Sequence, residues 1–195
     1  MDDRETSLTL LQLIRGGDRD AWSRTVALYG PLVIFWCRRG GAGEEAEDLA
    51  QEVLAAVASG IHAFRRDRPG DTFRGWLKGV TRNKLIDWRR RRGRLVGQAA
   101  GGTAAGQVLG EQADPLPGDD PEGERREVEA VYLRALELVR GEFEDRTWRA
   151  FWRVMVDGHP AAEVAADLGV TPGAIRLAKS RVLRRLKEVA GDLVD

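Results

Sequence analysis

The chain has 195 residues, 43% of them hydrophobic, and its 31 lysines and arginines are matched by 31 aspartates and glutamates. That length holds one medium domain or two small ones, and a net charge of zero excludes a protein-wide field that would gather polyanions. One cysteine excludes an internal disulfide, and the longest apolar run, PLVIFWC at 31–37, falls far short of the roughly 20 residues of a membrane-spanning helix.

From the N-terminus, Leu8, Leu11 and Ile14 mark one apolar stripe that ends at Gly16-Gly17. Trp22, Val26 and Tyr29 mark a second, expected to break at Gly30-Pro31 because proline disfavours a helical residue before it. Cys37 follows within the apolar run and reads as a small buried hydrophobe. Leu49, Val53 and Val57 recur at steps of four after a first turn rich in Glu and Asp, which suits the positive end of a helix dipole. Phe73, Trp76, Leu77 and Val80 form the next stripe. Its helix continues into the basic run RNKLIDWRRRRGR, where seven Lys/Arg face one acid, Asp87.

Residues 97–124 change character. They contain seven glycines, three prolines and six acids, with no Lys or Arg and no helical periodicity. Such a stretch cannot bury enough apolar surface to offset its ordering entropy, so it reads as a flexible acidic linker. It separates a block at 1–96 from a block at 125–195. An acidic linker is expected to fold back on arginine-rich helices in the free protein.

In the second block, Val128, Val131, Tyr132 and Ala135 open one helix, and Trp148, Phe151, Trp152 and Met155 open another. Pro160 starts a short helix whose apolar face is Ala161, Val164, Ala165 and Leu168. Gly169 fits the left-handed position that ends it. Thr171 can cap the next helix, with Pro172 in its first position. Ile175, Ala178, Val182, Leu186 and Val189 line one face of that helix, and six cations without an acid lie between Arg176 and Lys187. No stretch alternates at period two, so the fold class is all-α: two small helical domains joined by a flexible linker.

The short turn with glycine matches a helix-turn-helix, in which the N-terminal part of the second helix faces base edges. Arg176, Lys179 and Ser180 are the candidate base readers, Thr171 sits at the helix entry, and Arg181, Arg184 and Arg185 are placed to hold phosphates. On the first basic helix Lys78, Arg82, Arg89 and Arg92 project from one side, with Asn83 and Trp88 among them. A positive face with an aromatic can track a nucleic-acid backbone and stack bases. Asp48, Gln51 and Glu52 form an acidic, amide-bearing edge opposite Leu49, Val53 and Val57, which from the residues alone is a solvated helix face. His62 and His159 are isolated, and no nucleophile motif, phosphate loop or metal-ligand spacing occurs, so neither catalysis nor a metal or cofactor is expected.

The order EDLAQEVLAAV (47–57), FRGWLKGVTRNKLIDWRRRR (73–92), acidic linker, helix-turn-helix resembles a bacterial RNA polymerase sigma factor of the sigma-70 family, and within it the extracytoplasmic-function (ECF) subfamily. That resemblance covers about residues 8–190. It implies regions two and four as the two domains and core RNA polymerase as a partner. The D-L-x-Q-E residues Asp48, Gln51 and Glu52 would then dock on the coiled coil of the β′ subunit, with the β subunit also engaged. Promoter DNA is the second implied partner, and an anti-sigma factor a third. The first basic helix would handle the opened −10 element, capturing a non-template base in the preceding loop 61–72. In that loop Arg65, Arg66 and Arg68 are candidates for phosphates, and Asp71 and Thr72 for a base edge. The second basic helix would read duplex at the −35 element. No membrane partner is implied, and the absence of a basic, apolar, small-residue leader pattern points to the cytoplasm. A DNA-binding regulator independent of polymerase explains 160–188 but gives the D-L-x-Q-E helix no task. An adaptor for acidic proteins predicts no sequence preference between DNA fragments.

Overall fold

The structure, a computed structural model, describes residues 10–190 except 66, 69, 100–115 and 117–119. It contains eight described helices and, among the described residues, no strand. They are α1 (residues 10–15), α2 (Arg19–Arg39), α3 (Ala46–Gly60, preceded by a 3-10 turn, Gly43–Glu45), α4 (Phe73–Ala99), α5 (Pro121–Arg140), α6 (Asp145–Met155), α7 (Ala161–Leu168) and α8 (Pro172–Ala190). No described helix is long and apolar enough to cross a membrane. The chain divides into two compact units: Thr25–Val128, and the residues up to Arg24 together with Glu129 onward.

Two expectations about boundaries are corrected. First, α2 does not break at Gly30-Pro31; it runs through with Pro31 inside it. An interior proline costs about 3 kcal/mol. Here Leu28, Tyr29, Leu32, Val33, Trp36 and Cys37 are all buried on either side of it, so apolar burial on both flanks outweighs the local penalty. Second, the expected linker limits of 97 and 124 shift inward. Helix α4 continues to Ala99, and α5 begins at Pro121. The start of α5 is well signalled in hindsight. Asp120 accepts the Glu122 N–H at 3.2 Å, Pro121 occupies the first position, and Glu122 and Glu124 lie in the positive first turn. Leu116 is buried. Residues 100–115 and 117–119 of the expected linker lie outside the described residues.

In the unit Thr25–Val128, the apolar stripes of α2, α3 and α4 meet in one core. Leu49, Val53 and Val57 of α3 face Phe73, Leu77 and Leu85 of α4, all at most 3% exposed. Tyr29, Phe64, Phe73 and Trp76 form an aromatic group with edge-to-face pairs at 5.1 Å (Tyr29–Phe73) and 6.0 Å (Phe64–Phe73). Cys37 is fully buried, as expected, and burial pushes its thiol up to about 11. The close pass of the α2 end over α4 requires glycine at position 40: a Cβ there would lie 2.6 Å from Leu85 Cδ1. Leu85 is itself fully buried and has nowhere to retreat. Gly40→Ala is therefore expected to lower stability by about 1–3 kcal/mol through overpacking, read as a drop in the urea midpoint without a change in slope.

A polar knot closes the same unit. Glu127, near the end of the second turn of α5, is buried; it accepts the Trp36 indole N–H at 2.8 Å and an Arg74 guanidinium N–H at 2.9 Å. Arg74, also buried, has its second partner in Glu124, and the Lys78 ammonium stands 3.9 Å from Glu127. One acid of the expected linker thus pairs with the first basic helix.

In the other unit, α6, α7 and α8 pack on one another around Ala150, Val164, Ala165, Ile175 and Ala178. Val131, Ala135 and Val139 of α5 are buried, and Arg140 stacks over the Trp148 ring, 5.5 Å from its centroid.

Candidate nucleic-acid interface

The acid edge of α3 is exposed at all three expected positions, Asp48, Gln51 and Glu52. They are not equivalent. Both Glu52 oxygens accept from Arg91 Nη2, at 3.1 and 3.0 Å, so Glu52 ties α3 to α4. Asp48 and Gln51 have no side-chain partner among the described residues and are the open part of that edge.

The loop before α4 is built by its own polar groups. Arg65 donates to the carbonyls of His62 and Phe64. The Arg68 N–H donates to Asp71 Oδ2 at 2.9 Å, while the Asp71 N–H returns to the Arg68 carbonyl at 3.1 Å. Thr72 caps α4, its Oγ1 accepting the Gly75 N–H at 3.0 Å. Asp71 and Thr72, expected at a base edge, thus shape their own loop, although a capping hydroxyl still has a proton to donate. Arg66 lies outside the described residues. Arg68 is exposed.

Along α4 the structure separates cations that the sequence had pooled. Lys78 is half-buried beside Glu127. Arg89 donates to the Gly40 carbonyl at 3.0 Å. Trp88 and Arg92 share one acceptor: Trp88 Nε1 donates to Glu45 Oε2 at 2.8 Å, Arg92 Nη1 pairs with Glu45 Oε1, and the guanidinium lies 5.3 Å from the indole centroid. Trp88, Arg89 and Arg92, expected to face nucleic acid, thus also hold α4 against the preceding elements. Arg82 and Asn83 are exposed. Two cations outside the expected set join them: Arg90, exposed two turns on from Asn83, and half-buried Lys84, neither with an ion-pair partner among the described residues. The seven-residue spacing from Asn83 to Arg90 was the signal that could have found Arg90.

The helix-turn-helix forms as its turn chemistry dictates. Gly169 has φ 61° and ψ 42°, the left-handed conformation that suits glycine. Arg146 of α6 donates to the carbonyls of Leu168 and Gly169, and Arg153 pairs with Asp167 at 2.7 Å, so α6 grips the end of α7. Exposed Thr171 caps α8, accepting the Ala174 N–H at 3.2 Å. On α8, Ile175, Ala178, Val182, Leu186 and Val189 are buried, while Arg176, Ser180, Arg181 and Arg184 are exposed and Lys179 is half-buried.

Arg185 departs from expectation. Its Nε and Nη2 donate to the two oxygens of Glu142, the latter at 2.8 Å, and Nη1 to Glu188 at 3.1 Å. That guanidinium is engaged inside its own unit, and the sequence could not show that Glu142 reaches it. The Arg185 hydrogen bonds keep the Glu142 carboxyl below its ordinary value of 4.5. The stabilisation is therefore present above the unfolded-state value and disappears as pH falls through the lowered one. Glu142→Gln should lower stability at pH 7 by less than about 1 kcal/mol, since both groups are partly exposed. That difference from wild type should vanish in parallel melts taken once the pH has fallen through the lowered carboxyl value.

An all-α chain with an open acid edge, an arginine-bearing helix and a helix-turn-helix falls within the class of DNA-binding transcription proteins. Comparison with known proteins narrows it. The family model for sigma-70 region 2 matches residues 25–95. The chain is 33% identical to ECF RNA polymerase sigma factor SigD of Mycobacterium tuberculosis over 90% of this chain and 81% of that one. It is 33% identical to ECF sigma factor SigF of Caulobacter vibrioides over 96% of each chain, and 30% to ECF sigma factor ShbA of Streptomyces griseus over 97% and 99%. The chain belongs to the ECF RNA polymerase sigma factors. Members of that family bind core RNA polymerase and direct promoter recognition, so this is an initiation factor rather than an enzyme.

Proposed function

We propose that the two units divide promoter recognition between them. The unit Thr25–Val128 carries region two: Asp48 and Gln51 dock on the β′ coiled coil, with Glu52 positioned behind them. Arg68, Arg82, Asn83 and Arg90 then engage the −10 element as it opens. The α6–α8 cluster is region four and reads the −35 element in the major groove through Arg176, Lys179 and Ser180, with Arg181 and Arg184 on phosphates.

The observation that carries this reading is the face of α8. It exposes arginines and a serine with no acid among them, on the second helix of a helix-turn-helix, in a chain whose other unit matches region two. The test is run-off transcription from fragmented genomic DNA of the source organism, using core polymerase with and without the chain. New discrete start sites are expected only in its presence. Asp48→Lys with Gln51→Ala should remove both those transcripts and the capture of core polymerase in a pull-down. Retention of full activity by that double variant would overturn the docking assignment.

A further inference from the structure

One large apolar side chain of α8 faces away from the core. Leu177 is 53% exposed, the one large apolar side chain exposed on that helix among its described residues. A single surface leucine is ordinary; the surroundings of this one are not. It stands on the strip formed by Arg176, Ser180, Arg181 and Arg184, all exposed, and directly opposite the buried line of Ile175, Ala178 and Val182.

A helical side chain leans over the turn N-terminal to its own Cα. For Leu177 that turn holds Gly173 and Ala174, both exposed. Gly173 has no side chain, and a Cβ there would meet only Thr171 Oγ1 at 3.7 Å. The tip of Leu177 is thus unobstructed on the side toward the helix N-terminus, the part that approaches base edges in a helix-turn-helix. Its neighbours argue for one occupant. A protein seat needs contiguous apolar surface, and this strip supplies one large apolar group, with the small methyl of Ala174 beside it, among cations and a hydroxyl. The matching surface is a lone apolar group set in an anionic polar groove, which is the 5-methyl of thymine in the major groove.

We propose that Leu177 is a specificity-determining residue that selects thymine in the upstream promoter element through its 5-methyl group. The inference rests on the reading of α8 as the −35 recognition helix. Cytosine carries only a hydrogen at that position, and a purine there presents polar atoms that leucine would leave without hydrogen bonds.

The test uses the holoenzyme formed from core polymerase and the full chain. A random duplex pool is selected for holoenzyme binding, and the recovered sequence is resynthesised with dU in place of each upstream dT in turn. The two bases differ by the methyl group alone. At one or two positions the change should weaken wild-type binding about fourfold, the factor carried by burial of one methyl. With Leu177→Ala, dT and dU should bind equally there, while preferences at other positions persist. The proposal is overturned if the upstream element holds no thymine, if wild type ignores dU at all of them, or if Leu177→Ala keeps the methyl effect. Loss of core-polymerase capture by Leu177→Ala, without DNA present, would overturn it in favour of a protein seat. A pool that yields a downstream element but no upstream one would strike the region-four reading itself.

Discussion

Glu127→Ala is expected to destabilise the unit Thr25–Val128 by about 3 kcal/mol, the low end of the cost of breaking a buried ion pair. Three groups depend on this carboxylate. The Trp36 indole, 1% exposed, would lose its acceptor. Arg74, whose side chain is 10% exposed, would keep only Glu124, a residue 46% exposed. Lys78 would lose the anion 3.9 Å away. An unmet indole N–H alone costs about 1–3 kcal/mol. For a unit of this size the loss should appear as a fall in Tm of roughly 10 °C or more. Glu127→Gln retains an acceptor and should lose less. The decisive comparison is Glu127→Leu with Arg74→Met: if the knot acts as a buried pair, removing both charges should recover much of the loss. Equal destabilisation by the single and double variants would show that packing of α5, rather than charge pairing, sets the cost.

The same knot marks the boundary of what the sequence made legible. The apolar stripes of α3, α4, α6, α7 and α8 were read in place because their period is local and their caps are chemical: Thr171, Pro172 and Gly169 each have one conformational use. Tertiary effects were not legible. Pro31 looked like a break because its penalty is local, whereas the burial of Leu28, Val33 and Trp36 that outweighs it is distant in sequence. Asp120-Pro121-Glu122 is a helix start, yet the surrounding glycines and acids pointed to a linker.

The partners of the candidate interface residues were hidden for a related reason. A run of arginines shows how many cations exist but not where the acids are. Glu45 engages both Trp88 and Arg92, Glu52 engages Arg91, and Glu142 engages Arg185, across separations of 39 to 47 residues. Pairing at that range depends on the fold. On α4 Arg90, and on α8 Arg176, Arg181 and Arg184, stay exposed.

Three arginines on α8 should consequently separate into three behaviours when each is replaced by alanine in the holoenzyme. On the proposed reading Arg176, in the first turns of α8, meets base edges, and its loss should cost about 1–3 kcal/mol at the preferred upstream sequence and far less on random duplex. Selectivity then falls with affinity. Arg184, two turns further along, is the proposed phosphate holder. Its loss should weaken all duplexes alike and reduce the slope of log K against log salt by about one. Arg185 is adjacent in sequence yet bound to Glu142 and Glu188. Its replacement should leave the salt slope unchanged and lower the stability of the α5–α8 cluster instead. Sequence proximity predicts that 184 and 185 behave as a pair; the geometry predicts that they do not. A salt titration of the three variants beside their thermal melts decides between the two, and a shallower slope for Arg185→Ala would return that residue to the DNA surface.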